Sequence, residues 1–192
     1  MTERIPGGIA MPLPKLRDAE IAWIIQQVAE YIGQQRQTYR GRAVPLDAHQ
    51  RSAMQPFFPS SALDSTRVVV LAGERVSNPP FYPALQRMGF EPSSLPDFSL
   101  MAAITFVDKV VSHEPFTQRL LFHELVHVIQ YEKLGLLEFA AKYVSGFLNG
   151  GSYEAIPLEM NAYELDARFS AAPAKIFSVD AVVQSWIDSS RF

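Results

Sequence analysis

The chain has 192 residues, enough for one domain of ordinary size, and 48% of them are hydrophobic, enough to fill its core. Charged residues make up 19% and the formal net charge is −3, a balance that argues against disorder and supplies no footprint for nucleic acid or an anionic membrane. Cysteine is missing, which excludes disulfides, thiolate metal sites, iron–sulfur clusters and cysteine nucleophiles and leaves histidine and carboxylates as the only strong metal ligands.

From Met1 to Pro14 the apolar residues are broken by Pro6, Gly7, Gly8, Pro12 and Pro14, unlike the continuous apolar stretch of a secretory signal. No window is long and apolar enough to span a membrane. The expectation is a cytoplasmic protein.

Residues 18–40 read as the first long helix. Ile21, Ile24, Ile25, Val28, Tyr31 and Ile32 recur at helical spacing, with Asp18 as cap and Gly41 at the end. Residues 42–65, with Pro45, Pro56 and Pro59, read as a connection. Three successive valines make 67–71 the clearest strand. Residues 78–97 are rich in proline and aromatics and read as a long loop with a helical turn near 84–88. A second strand is expected at 102–107, extended by 109–112.

The next helix is predicted over 116–134, with Pro115 before it and Gly135 after it. Its apolar residues, among them Phe116, Leu121, Phe122, Leu125, Val126 and Ile129, cover most of its circumference, so it belongs inside the domain. Further helices are predicted at 136–148, ended by Asn149-Gly150-Gly151, at 157–170, opened by Pro157, and near 179–187. These elements describe a single α+β domain over residues 1–192.

Within the buried helix stands His123-Glu124-Leu125-Val126-His127. Helical residues four apart lie on one face a turn apart, so two imidazoles can converge on one metal ion. Glu124 lies beside them, where it can take a proton from a metal-activated water. A catalytic zinc site needs a third protein ligand and keeps a fourth position open. The extended form of the motif, with a third histidine, is missing: Gln130 and Leu134 occupy its glycine and histidine positions. His49 and His113 are the two other histidines, and both sit upstream. Glu159 is the favoured third ligand, because Pro157 places it in the first turn of a helix with small Ala162 on the same face. Glu154, Glu164 and Asp166 remain alternatives. Asp166 and Tyr163 are candidates to hold a ligating histidine by its second ring nitrogen. Tyr153, Tyr163 and His113 are candidate donors to an oxyanion.

The segment HELVHVIQYEKLG, followed by PLEMNAYELDA, resembles the gluzincin-type zinc metallopeptidases, most of all small bacterial HELxH proteins. The likeness covers roughly residues 100–170. It implies a zincin-like fold in which a small sheet and a backing helix pack on the active-site helix, with the edge strand, here 102–107, lining the cleft. It implies Zn2+ held by His123, His127 and Glu159, catalysis by Glu124, and a peptide or protein substrate. In such families the third-ligand glutamate often reads ExxA followed by Asp; Glu159 to Ala162 match, and Tyr163 takes the place of that Asp.

Two other readings accompany this one. In the first, zinc only stabilises a non-catalytic binding module, with loop 78–98 as its partner surface. In the second, no metal binds and the histidines are core residues. The small size of the chain suggests a shallow cleft.

Overall fold

The computed structural model describes residues 13–192. All but the last two residues of the stretch Met1 to Pro14, read above as no secretory signal, lie outside the described residues. Among the described residues, seven α-helices and one four-stranded sheet make an α+β domain.

Helix α1 spans Asp18–Tyr39 and buries Ile24, Tyr31 and Ile32 on one stripe. Its first turn is closed by Glu20, whose carboxylate accepts the Arg17 N–H at 2.8 Å, so Asp18 is the first helical residue and not the cap. The stretch 42–65 is more ordered than a connection. It holds strand β1 (Val44–Pro45) and the short helices α2 (Ala48–Met54) and α3 (Ser60–Ser65). Each is too short for its periodicity to stand out in sequence.

Strand β2 is Arg67–Val70, and the strand read at 102–107 is β3, Ala103–Phe106. Lys109–Ser112 does not extend β3. It returns antiparallel to it as β4, through a turn in which Val107 takes φ 63°. That left-handed conformation disfavours a β-branched residue, so no turn signal marks the hairpin in the sequence. The neighbouring Asp108 is gripped by Arg36 of α1 at 2.6 and 3.1 Å and by Lys109 at 2.8 Å. The sheet order is β1-β2-β4-β3, with β2 and β4 parallel, so β3 is an edge strand as expected.

Loop 71–102 contains helix α4, Tyr82–Arg87, close to the anticipated turn. Its aromatics face inward: Phe81 and Phe90 are buried, and Tyr82 donates to the Pro96 carbonyl at 2.7 Å. A partner surface built from these rings is therefore not what the fold presents. Tyr31 donates to the Ser77 carbonyl at 2.8 Å, fastening the loop to α1.

Helix α5 runs Gln118–Gly150 as two segments that meet at Gly135, where φ 75° and ψ 166° break the helix before it resumes. Glycine carries that backbone without a Cβ penalty. Thr117 caps the start by accepting the Leu120 N–H at 3.1 Å. Every residue from Leu121 to Tyr131 is buried, because the helix lies between two cores. On one side are α1, loop 71–102 and β3. On the other, Phe122 stacks on Phe169 at 4.4 Å, and Phe57, Phe58 and Phe177 close around them.

Helix α6, Pro157–Ala171, packs along α5, and α7, Val179–Asp188, completes the second core. The start of α6 can approach because residue 146 is glycine. A Cβ there would meet Pro157 Cδ at 2.6 Å. No helix among the described residues is long and apolar enough to cross a membrane.

Candidate metal centre

His123 and His127 project from one face of α5, and Glu159 comes to them from the third position of α6, where Pro157 opens the helix. His123 Nε2 and His127 Nε2 are 3.3 Å apart, and Glu159 Oε2 lies 3.6 Å from the first and 3.4 Å from the second. All three residues are buried. Among the described residues this is the trio whose donor atoms all lie close enough to hold one metal ion.

The remaining ring nitrogens fix the tautomers. His123 Nδ1 is 3.1 Å from Asp166 Oδ2, and His127 Nδ1 is 2.8 Å from Gln130 Oε1. The Gln130 amide is oriented by its other end, since Nε2 donates to the Leu158 carbonyl and to Asn161 Oδ1, both at 3.0 Å. Both Nδ1 atoms therefore carry hydrogen, and both Nε2 atoms turn lone pairs toward each other and toward a carboxylate. Glu159 Oε2 is buried with no hydrogen-bond donor. Three converging lone pairs in a buried space repel one another unless a cation sits among them.

A proton is the cation the residues can supply themselves. Burial pulls the His123 ring down, but its bond to Asp166, the nearby Glu159 carboxylate and the charge of Glu124 outweigh burial and hold it up at about 10. His127 is raised as well, with burial opposed by Glu159. Glu159 is held below its ordinary value: burial would raise it, and the two imidazoles overcome that.

A divalent ion fits the same space. Four ligands at zinc's usual distances of about 2.0 to 2.1 Å stand about 3.3 to 3.4 Å apart at the corners of a tetrahedron. The observed edges are 3.3, 3.4 and 3.6 Å.

Asp166 does what the sequence allowed for it, and Arg119 anchors its other oxygen at 2.9 and 3.2 Å. Tyr163 does not bond a ligand ring edge-on. It is half exposed and lays its own ring against His123, centroids 4.7 Å apart. Glu154 and Glu164 are exposed. His113 belongs to neither ligands nor oxyanion donors, because both ring nitrogens are engaged by backbone: Nδ1 with the Met101 carbonyl at 2.6 Å and Nε2 with the Val76 N–H at 2.9 Å. His49 lies on α2, which carries none of the trio.

Gln130, Asn161, Thr105 and Arg119 are the supporting residues that sequence reasoning passed over. Two had a signal. Gln130 lies one turn beyond His127 in an otherwise apolar run, where a polar residue needs partners, and Arg119 lies one turn before His123. Thr105 had none, because only the sheet brings it to α5. Its hydroxyl donates to Glu124 Oε2 at 2.7 Å.

Two hollows meet at Glu124. One, of about 110 Å3, is walled mostly by apolar and aromatic side chains of α1, loop 71–102, β3 and α5, and Glu124, His127 and Glu159 also line it. The other, of about 320 Å3, opens beside His123 and is lined by Arg119, Tyr163 and Asp166. They share Met101, Ala103, Glu124 and Tyr153. The chain matches no family model, no curated protein and no solved structure.

Proposed function

We propose that the chain is a zinc-dependent metallopeptidase that hydrolyses peptide bonds with Glu124 as general base. One observation carries the reading: two Nε2 lone pairs and an unpaired carboxylate oxygen converge in a buried site, with a second carboxylate, Glu124, next to them. His123, His127 and Glu159 would hold the ion. When bound, zinc lowers the pKa of a coordinated water toward neutrality and polarises a carbonyl oxygen.

The chain's own residues do the rest. Thr105 anchors Glu124 Oε2, which leaves Oε1 to accept a proton from water and return it to the leaving amine. Asp166 and Gln130 keep the two rings in the tautomer that presents Nε2. Tyr153 and Tyr163 flank the cleft as protonated phenols able to donate to a developing oxyanion. Burial, with Glu159 nearby, pushes Tyr153 well above its ordinary value, and the same two causes push Tyr163 to about 12. The edge position of β3, whose first residue Ala103 lines both hollows, favours a peptide, since an extended chain can pair with a free strand edge.

The test is a metal count and a peptide-cleavage assay on wild type, Glu124→Gln and Glu159→Ala, purified without a histidine tag. The expected result is about one zinc per chain in wild type and Glu124→Gln, cleavage in wild type alone, and weakened zinc binding in Glu159→Ala. Zinc retained with no cleavage by any of the three points instead to the non-catalytic zinc-stabilised binding module. No zinc in wild type, even on titration, ends both readings.

A further inference from the structure

The 110 Å3 hollow is too well placed to be an accident of packing. Ile24 of α1, Phe81 and Leu95 of the loop, Ile104 of β3, and Val144 and Phe147 of α5 wall it, and all six are buried. Glu124, His127 and Glu159 are the ionisable groups of its lining besides tyrosines. Loop 71–102, which closes one side, is tied down by Tyr31 on Ser77, Tyr82 on Pro96 and Asn78 on Asp97. The hollow is thus pre-formed, apolar, and open toward the reacting groups, as a specificity pocket is.

Resting on the proposed peptidase reading, we infer that this hollow seats an aliphatic group of the substrate next to the scissile bond. An apolar cavity of about 150 Å3 takes a benzene ring, so in proportion this one takes about four carbon atoms. That is the size of a leucine, isoleucine or methionine side chain. Apart from Glu124, His127 and Glu159 the lining offers tyrosines but no charged partner, and entering would strip a charged side chain of its hydration. An indole exceeds the volume. The polar continuation of the substrate lies over His123, in the wider hollow where Arg119 and Tyr163 offer donors. Ile24 of α1, Phe81 and Leu95 of the loop, and Val144 and Phe147 beyond the Gly135 break in α5 lie away from the three proposed ligands, so specificity and metal binding can be separated by substitution.

The experiment measures binding, with no turnover needed. Zinc-loaded full-length chain is titrated by calorimetry with acetohydroxamic, butyrohydroxamic, hexanohydroxamic and octanohydroxamic acid. Their hydroxamate groups bind zinc alike and they differ only in alkyl length. Affinity is expected to rise about fourfold for each methylene that enters the hollow, and to level off once about four carbons are seated. Val144→Phe fills the hollow from α5 and should flatten the series while leaving acetohydroxamate affinity and zinc content unchanged. Val28→Phe, from the half-buried face of α1, is the second filling variant should the first fail to fold. Equal affinity across the series in wild type overturns the pocket while zinc loading leaves the metal centre standing. A chain that takes up no zinc overturns the peptidase reading and this inference with it.

Discussion

Replacing Gln130 by leucine tests whether the proposed metal ligands are held by a network or merely happen to lie together. Gln130 is fully buried and makes three hydrogen bonds: it accepts from His127 Nδ1 at 2.8 Å and donates to the Leu158 carbonyl and Asn161 Oδ1, each at 3.0 Å. Leucine has similar bulk, so little cavity forms, but three buried polar partners lose their bond. At about 1 to 3 kcal/mol for each group left unpaired, less about 2 kcal/mol for the apolar side chain gained, the net loss is about 1 to 7 kcal/mol. A domain of this kind has about 5 to 15 kcal/mol in all. Urea unfolding of the metal-free chain, followed by the fluorescence of buried Trp186, should show the midpoint falling by about 0.5 to 3 M. Competition with a chromophoric chelator should show zinc bound about 10 to 100-fold more weakly. Gln130→Glu separates the two effects. Its carboxylate still accepts from His127, and Asn161 can turn its amide, whose Nδ2 is now without a partner, to donate to it. Only the Leu158 carbonyl is then opposed by like charge, so zinc affinity should be largely kept while stability falls. An unchanged midpoint and unchanged zinc affinity in Gln130→Leu would refute the network.

Metal and proton should compete for the centre. The His123 ring, lifted from 6.5 to about 10, adds stability to the metal-free chain that is full below about pH 6.5 and is lost as pH rises toward 10. Glu159, held below its ordinary 4.5, adds stability that is present above that value and lost as pH falls. Urea midpoints of the metal-free chain across pH should therefore decline on the alkaline side, saturation with zinc should remove that decline, and apparent zinc affinity should rise about tenfold per pH unit for each proton displaced between about pH 7 and 9. A flat affinity over that range would contradict it. Asp166→Asn leaves one of the donors on His123 and Arg119 facing an amide N–H, and should weaken zinc about 10 to 100-fold by chelator competition. Gly146→Ala puts a Cβ 2.6 Å from Pro157 Cδ and must push back the turn that carries Glu159, whereas Gly135→Ala meets no atom and only strains a φ of 75°. Zinc affinity should therefore fall in the first and hold in the second, and equal effects would mean that the start of α6 is not what places Glu159.

The sequence by itself determined the residues that converge on the centre, because helical periodicity is a local property. His123 and His127 share a face by their spacing alone, Pro157 sets Glu159 in a first turn, and an apolar circumference tells that α5 is buried. Asp166 was legible for the same reason, lying two turns after Glu159 on the same helix. Tertiary structure alone decided what surrounds them. The β3–β4 hairpin turns on a valine with positive φ, which no turn signal announces, and that hairpin brings Thr105 to Glu124. The inward fold of the proline-rich loop converts a stretch that reads as a surface into the wall of a cavity. Gln130 reads as a vacated motif position until α6 arrives with Leu158 and Asn161. Such contacts join residues far apart in the chain, and they depend on how whole elements pack, which no local pattern encodes.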